Sequence, residues 1–388
     1  MELSDVNLLK AQYDRSKSLN LPSLRPLSEV QTSASSYSVS FFHKNPELSA
    51  ACDELGHIYI ICISECSEIR SVMNPHNNSI FHVGWSYDDQ HLITGSADFT
   101  GGVWDIERET GCILAKHTGS VKCIKNSPIG NTIYATASRD GKIFLWDLRT
   151  QGASNGLNTT YEPIGEINRA SEIKAKTRKD PVSFTGLEFL EWGNIIASVQ
   201  ADEAEIRFWD LRKSESTKGK KKQKSLLGKV DPLTWMQENR LKDMKKDKAN
   251  DRMNNIRLQS SLLKSGPGNS WISSIDGAIL VSSMSNSLYL YKDILRLDTQ
   301  PPVKFIGHKS SFYVKSCISP DMKHVASGSS DGCLYIWDIE KNEMPYVLHT
   351  GNTSELSCVD WTYGSSFFIA TSSDSAVVNF WGFDDMSS

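Results

Sequence analysis

Short runs of apolar residues, separated by polar turn-forming ones, recur along this chain, and most of them close on the same two residues. The runs "GGVWD", "IFLWD", "IRFWD" and "LYIWD" end on Trp104, Trp146, Trp209 and Trp337, each followed by Asp, and a fifth run ends on Trp381. Two further runs lack the tryptophan: "GHIYIIC" puts Ile61 in its slot, and "SNSLYLYKD" puts Tyr291 there. Successive slots lie 43, 42, 63, 82, 46 and 44 residues apart. Subtracting insertions of roughly 20 and 40 residues from the two long steps brings every step near 42. Each run has the length of a strand, and none approaches the ~20 apolar residues of a membrane-spanning helix.

A period of about 40–45 residues with this ending marks a WD-repeat blade of four strands. Seven slots therefore predict an all-β fold, a seven-bladed WD-repeat β-propeller. The polar residues repeat with the same phase. His117, Ser138, Asp140 and Trp146 form one set, and His308, Ser329, Asp331 and Trp337 form another. In both, His precedes Trp by 29 residues and Asp precedes it by 6. The second blade keeps Ser96, Asp98 and Trp104, with His76 at a similar offset, whereas the last has Ser375 where Asp is expected. These sets predict a buried hydrogen-bonded network within each blade, structural rather than catalytic. No room is left after Trp381 for a last outer strand, so a segment before Tyr37 is expected to close the ring and remove its open edge. Residues 1–20 read as a poorly ordered lead-in, and residues 21–388 as one propeller.

The two long steps carry the insertions. Residues 151–181 begin with the loop-like "QGASNGLNTT" and include the basic "KAKTRKD". Residues 213–270 open with "KGKKKQK", which holds Lys218, Lys220, Lys221, Lys222 and Lys224, and end in the breaker "SGPGNS". Between them, Asp231 and Pro232 suit the start of a helix. The chain as a whole carries a net charge of -4, yet Arg212 to Arg257 holds fifteen Lys and Arg against six Asp and Glu. That segment is +9 and the remainder -13, so a mildly acidic body bears one strongly basic stretch. The lysines read as a solvated run, a nuclear localisation signal, or a salt-sensitive contact to DNA phosphates. The N-terminus lacks a signal-peptide pattern, which points to a soluble intracellular protein. The eight cysteines form no CxxC pair and read as small buried residues of a reducing compartment. No metal set is expected.

The sequence contains no nucleophile elbow, no phosphate-binding P-loop and no HExxH. "TGSADFTGG" is glycine-rich but reads as a turn between strands. No cofactor is implied, and the chain reads as a non-catalytic platform. One slot varies in an informative way. After Trp-Asp the chain reads Leu-Arg in "WDLR" at Trp146 and again at Trp209, but Ile-Glu at Trp104 and Trp337. Arg149 and Arg212, with Asp147 and Asp210, come from consecutive blades and fall on one face of a propeller. An arginine fork suits carboxylates and carbonyls.

On these residues the chain resembles the denticleless family of WD-repeat substrate receptors of cullin–RING ubiquitin ligases. The stretches that carry the resemblance are "SRDGKIFLWDLRT", "IRFWDLRKS" and "GHKSSFYVKSCISPDMKHVASGSSDGCLYIWD", with "SFYVKS" the most specific. The resemblance covers most of residues 37–383 and implies docking of Arg149 and Arg212 on the triple-propeller adaptor. It also implies clients bound to the DNA-loaded sliding clamp, replication and cell-cycle regulators marked for proteasomal degradation in S phase and after DNA damage. Animal members add a long C-terminal tail with a clamp-binding segment. Here "SVSFF" has the aromatics of a clamp-binding box without its glutamine, so clamp contact is expected from the propeller, the basic insertion or the client. On the face opposite the arginines, Arg139, Lys309, Phe312 and Tyr313 are candidates for the client. The competing reading is a nuclear WD-repeat scaffold or histone binder unconnected with a ligase. A propeller that binds damaged DNA is a third. All three place the protein in the nucleus.

Overall fold

The computed structural model describes residues 21–63, 68–108, 110–155, 158–168, 183–190, 193–211, 228–229, 268–294, 300–351, 353–362 and 367–383. The strands run in chain order from β1 (Leu24–Gln31). Blade one is β2 (Ser36–Phe41), β3 (Leu48–Asp53), β4 (Ile58–Cys62) and β5 (Glu68–Met73); blade two is β6 (Ile80–Trp85), β7 (Leu92–Ser96), β8 (Thr100–Asp105) and β9 (Thr110–Ala115). β10 (Val121–Asn126), β11 (Ile133–Ser138) and β12 (Lys142–Asp147) belong to blade three. After β13 (Ala153–Asn155) and β14 (Asn158–Tyr161), β15 (Gly165–Asn168) completes that blade. Blade four is β16 (Phe184–Phe189), β17 (Ile195–Gln200), β18 (Glu203–Asp210) and β19 (Gly228–Lys229), and blade five is β20 (Asn269–Ile275), β21 (Ala278–Ser283), β22 (Ser287–Tyr291) and β23 (Val303–Ile306). Blade six is β24 (Ser316–Ile318), β25 (His324–Ser327), β26 (Cys333–Asp338) and β27 (Tyr346–His349). Blade seven is β28 (Leu356–Trp361), β29 (Ile369–Ser373) and β30 (Val377–Phe383), and β1 is its fourth strand, antiparallel to β30. The seven-bladed ring and its closure by a strand from before Tyr37 are as the period predicts.

Each slot residue occupies the same place in its blade. Trp104, Trp146, Trp209, Trp337 and Trp381 pair across the ladder with Leu92, Tyr134, Ile196, Val325 and Ile369, and Ile61 and Tyr291 pair with Ser49 and Ile279 in the same way. All seven are buried, sealing successive sheets against one another. Burying an indole also buries its N–H, which needs an acceptor. Two residues beyond the cross-strand partner, four tryptophan blades supply a hydroxyl. Trp104 donates to Thr94 (2.7 Å), Trp146 to Thr136 (2.9 Å), Trp209 to Ser198 (2.8 Å) and Trp381 to Thr371 (3.3 Å). Where the slot holds Ile61 or Tyr291, the corresponding residues are Ala51 and Val281, and both are apolar.

In blades two and three the hydroxyl extends the chain of hydrogen bonds. Thr136 Oγ1 lies 2.8 Å from His117 Nε2, and His117 Nδ1 lies 2.9 Å from Asp140. An indole only donates, so with a neutral imidazole the Thr136 hydroxyl donates onward and Nδ1–H points to the Asp140 carboxylate. Thr94, His76 and Asp98 repeat this, at 2.7 and 2.8 Å. Burial pushes the Asp98 carboxyl up, but hydrogen bonds from His76 and Thr100 hold it down, and the carboxyl rests at about 2. Ser138 joins through the backbone: it accepts from Asp140 N at 3.2 Å and donates to Gly119 O at 2.9 Å, holding the turn.

Blade six departs from the network its sequence predicts. Trp337 donates to the Ile306 carbonyl (3.1 Å), Ser327 donates to its neighbour Gly328, and Asp331 is taken by Tyr335 (2.9 Å). Buried His308 has no hydrogen-bond partner at either ring nitrogen among the described residues, and burial lowers its pKa to about 4. Ser329 stays in place, accepting from Lys309 N. His308, Ser329, Asp331 and Trp337 thus share the spacing of the blade-three set without its connections. Ser327 donates to a backbone carbonyl and takes no bond from Trp337, so the first link is missing, although Ser198 makes it in blade four.

The segment 151–181 is not loop throughout. β13 and β14 form a hairpin that crosses back to blade two, where β14 runs parallel to β9 with Asn158 to Tyr161 opposite Gly111 to Leu114. Composition suggested a loop because Ser, Asn, Gly and Thr dominate, but an open strand edge pairs through backbone groups, which composition does not report. Of residues 213–270, the described part holds β19, the outer strand of blade four, and the start of β20. Lys218, Lys220, Lys221, Lys222, Lys224 and the helix expected after Asp231 lie outside the described residues, as does the lead-in 1–20.

The relay is testable. Thr136→Val leaves the Trp146 N–H and His117 Nε2 without a partner and is expected to lower unfolding stability by about 1–3 kcal/mol in a urea titration. Ser327→Ala, which removes no tryptophan acceptor, is expected to cost clearly less; equal losses would mean that the relay adds nothing.

Candidate functional site

The Trp-Asp aspartates explain what one face of the ring needs. In blade three Asp147 Oδ1 accepts from Arg149 N at 3.0 Å; in blade six Asp338 accepts from Glu340 N and Lys341 N at 2.9 and 3.0 Å; in blade two Asp105 accepts from Arg108 N at 3.0 Å. The aspartate therefore holds the turn whatever follows it. Arg149 then adds a fork, with Nε at 2.9 Å and Nη2 at 2.7 Å from the Asp147 carboxylate. The hydrogen bonds from Arg149 hold the Asp147 carboxyl below the usual carboxylate range. The Arg149 side chain remains 67% exposed, its guanidinium fixed in direction but open to a partner. Asp210, its counterpart in blade four, is fully buried, and Arg212 lies outside the described residues. The inner strands β10 and β16 pack directly, so the two arginine-bearing blades are neighbours.

The opposite face, at the other end of the inner strands, is built by a repeated bulge. The ladder slips at the second residue of the innermost strand in blades one, two, three, four, five and seven. A bulge re-aims its side chain. In blades four, five and seven that residue is small, Thr185, Ser270 and Ser357, and each hydroxyl closes on a backbone carbonyl. In blades one, two and three it is Tyr37, Phe81 and Lys122. Phe312 and Tyr313, from the loop before blade six, reach across to them. Tyr313 stacks on Tyr37 at 5.5 Å and on Phe81 at 6.0 Å, and the Lys122 ammonium sits 3.1 Å over the Phe81 ring and 5.2 Å from Phe312 and from Tyr313. Lys315, fully buried, donates from Nζ to Tyr37 O and Phe81 O at 3.2 and 2.5 Å, tying blade six to blades one and two.

Charge is unevenly spread around this mouth. Burial, then Arg139 and Lys315, bring the Lys122 ammonium down to about 7. Burial, then Glu54 and Asp374, push the Tyr37 hydroxyl up to about 12. The Asp374 carboxyl is raised by burial and by Glu54, and the Glu355 carboxyl by burial and Asp374, against a hydrogen bond from Ser311. Acid groups therefore crowd the side of blades seven and one, and cations the side of blade three. Arg139 and Lys309 are both exposed on this face; Phe312 is half-buried and Tyr313 is 40% exposed. The four residues chosen from sequence do share a face, but the sequence reading missed Tyr37, Phe81 and Lys122. Nothing in their own residue type marked them; only the bulge brings them to the mouth.

The turns between second and third strands add a further departure. Five residues before the slot residue the chain takes positive φ: Gly56 (92°), Gly141 (78°) and Gly332 (80°), then Asn286 (58°) and Ala376 (62°). Blade two puts Phe99 there at 72°. Left-handed backbone costs a side chain with Cβ about 1–2 kcal/mol, and a bulky residue there is an outlier. Phe99 recovers little by burial, being 47% exposed. One residue earlier, Asp98, Asp140 and Asp331 cap their turns, but blade one has Leu55, 54% exposed. Buried Asp53 does the capping instead, accepting from Leu55 N at 3.0 Å, His57 N at 2.9 Å and Tyr59 Oη at 2.7 Å. "SADF" beside "SRDG" carries the signal for Phe99, legible once the blades are aligned.

Between the faces lies a cavity of about 210 Å³. Lys125 and Glu188 pair across it at 2.9 Å, and His82 lies against Trp271 at 5.4 Å. Burial, then Lys125 and Lys315, hold the His82 pKa well below its ordinary value. Among the described residues no three metal-ligating side chains converge.

Comparison with known proteins agrees with this geometry. The WD domain, G-beta repeat, family model matches residues 67–105, 109–147 and 299–338, which are parts of blades one to three and of blades five and six. Protein lethal(2)denticleless of Drosophila melanogaster is 26% identical over 335 residues, 81% of this chain and 39% of that protein. The denticleless protein homolog of Homo sapiens is 25% identical over 320 residues, 79% of this chain and 40% of that protein. That of Danio rerio is 27% identical over 359 residues, covering 87% and 50%. The chain thus spans between about two fifths and half the length of the curated relatives it matches.

Lys122 gives the mouth a pH signature. Its proton is bound by the unfolded chain up to about pH 10.4 but by the native chain only up to about 7. Between those values the unfolded chain holds more protons, so native stability rises with pH. Lys122→Met keeps the volume and removes the proton, so the rise in urea midpoint from pH 7 to pH 10 should shrink. An unchanged pH profile would remove Lys122 as its source.

Proposed function

Starting from a chain that belongs to the denticleless family of WD-repeat proteins, we propose that it is the substrate receptor of a cullin–RING E3 ubiquitin ligase. In this reading the propeller docks on the triple-propeller adaptor through Arg149 and Arg212, oriented by Asp147 and Asp210. Clients associated with the DNA-loaded sliding clamp, replication and cell-cycle regulators, are held on the opposite face for ubiquitylation and degradation in S phase and after DNA damage. The receptor transfers nothing itself; it works in the nucleus as the specificity subunit. The observation that carries the proposal is Arg149, held by its own aspartate in one direction while its guanidinium stays exposed on a turn that the fold would build equally well with glutamate. A fork fixed before binding loses less side-chain freedom when it meets a carboxylate or carbonyl of the adaptor.

The mouth supports the second half of the reading. Arg139, Lys309, Phe312 and Tyr313 lie at the far end of the inner strands, so a client and the adaptor need not compete. The lysines from Lys218 to Lys224 serve as a localisation signal or as a weak, salt-dependent DNA contact in this reading. A nuclear scaffold or histone binder outside any ligase remains the second reading, favoured by the basic segment, which suits it equally.

Arg149→Ala with Arg212→Ala is expected to weaken adaptor binding about a hundredfold or more, with the circular dichroism spectrum unchanged. Wild type that does not bind the adaptor at all would hand the protein to the scaffold reading. Arg139→Glu should weaken client capture and leave adaptor affinity within about twofold; equal losses in both would show that the faces are not divided in this way.

A further inference from the structure

We propose that Phe99 and Leu55 are the apolar anchor of the client surface. They would receive a peptide segment that carries one large apolar side chain, an acidic residue on one flank and a basic residue on the other. This deepens the reading above and rests only on its assignment of the mouth face to the client, not on the adaptor.

Two adjacent blades place an exposed apolar side chain in the same turn, at successive positions. Blade two places Phe99 at φ 72° where blades one, three and six use Gly56, Gly141 and Gly332. Blade one places Leu55 where blades two, three and six use Asp98, Asp140 and Asp331. Neither side chain is needed for the fold. Both are about half exposed, and the turn around Leu55 is capped by Asp53 from another position. Strain held at a side chain that faces solvent points to use by something outside the chain. The inner strands of these blades pack together, which makes their turns neighbours on one rim.

The flanks choose the occupant. On the blade-three side the next turn presents exposed Arg139, beside the Lys122 ammonium. On the other side stand Glu54, Asp374 and Glu355, brought together by hydrogen bonds from Glu54 N to Ser35 O (2.9 Å), from Ser35 Oγ to Asp374 O (2.9 Å) and from Asp374 N to Glu355 O (3.0 Å). A segment crossing the two apolar side chains meets cations at one end and carboxylates at the other. Charge complementarity of this kind fixes direction and register. DNA, uniformly anionic, meets only half of it.

The test is a displayed library of random twelve-residue peptides, selected on the purified full chain and on two variants. Phe99→Gly restores what blades one, three and six carry at that position, and Leu55→Asp what blades two, three and six carry, so both should fold. Phe99→Gly should in addition raise the melting temperature by a few degrees. Wild type is expected to enrich peptides with a large apolar residue between an acidic and a basic one, binding Phe99→Gly and Leu55→Asp at least tenfold more weakly. Enrichment indifferent to both variants, or no apolar residue in the enriched set, overturns the proposal. So does sedimentation showing that wild type self-associates and Phe99→Gly does not, since the occupant is then a second copy of the chain. Adaptor affinity, measured in parallel on both variants, should not move; failure of the adaptor reading appears there and leaves the selection result standing.

Discussion

Everything at the mouth depends on the pairing of β1 with β30. Six blades draw their four strands from consecutive stretches of the chain, but the seventh takes its outer strand from residues that precede the first. The ladder runs from Leu24 opposite Phe383 to Gln31 opposite Val377, with one irregularity at Pro26 and Ser28, where an outermost strand tolerates a residue without an N–H. Leu24 is buried with Trp361 and Trp381. Closure brings blade seven against blade one: Ser357 donates to Ser36 O at 2.6 Å, and Phe41 N to Asp360 at 2.8 Å. It also sets the distance over which Tyr313 meets Tyr37 and Lys315 meets the carbonyls of blades one and two. Without it, the side chains that make the mouth would belong to the two ends of an open stack.

Within the closed ring, polar burial follows from one requirement. Indoles seal the blades, each indole brings an N–H, and each N–H needs an acceptor. Thr94, Thr136, Ser198 and Thr371 meet that need from the neighbouring strand. Threonine offers a lone pair to the indole and a proton to a further acceptor, which is how His76 and His117 enter the core with their aspartates. In blade six Ser327 donates to the Gly328 carbonyl instead, and His308 is left beside Trp337 at 5.6 Å as a packed ring only. The same spacing of His, Ser, Asp and Trp thus gives a connected network in one blade and a disconnected set in another.

That contrast marks how far the sequence was legible. The period, the slot and the need for a closing strand are properties of spacing, so they read directly, and Ile61 and Tyr291 could be placed although they are not tryptophan. The hydroxyl that joins Trp to His was missed because its position is defined across strands, by register, and not by distance along the chain. Tyr37, Phe81 and Lys122 were missed for a similar reason: each alternates like any strand residue until a bulge turns it toward the axis. The hairpin β13–β14 was read as loop because its partner β9 belongs to another blade. Phe99 stood in plain view, in a position that blades one, three and six fill with glycine. Finding it needed only the question of what backbone that position requires.

The two faces also differ in how much freedom the fold leaves them. On the arginine face the aspartate of the Trp-Asp pair satisfies the turn by itself in blades two, three and six, whether Glu107, Arg149 or Glu340 stands two residues on. The residue after it is therefore uncommitted, and its charge can be set by a partner at almost no cost in stability. On the mouth face the turn has conformational demands of its own, and Phe99 stands against them. A residue that the fold permits says little about selection when it appears once, and gains meaning only by repetition, as in the two "WDLR" strings. A residue that the fold disfavours needs no repetition, because the strain it keeps must be offset by something that folding does not supply.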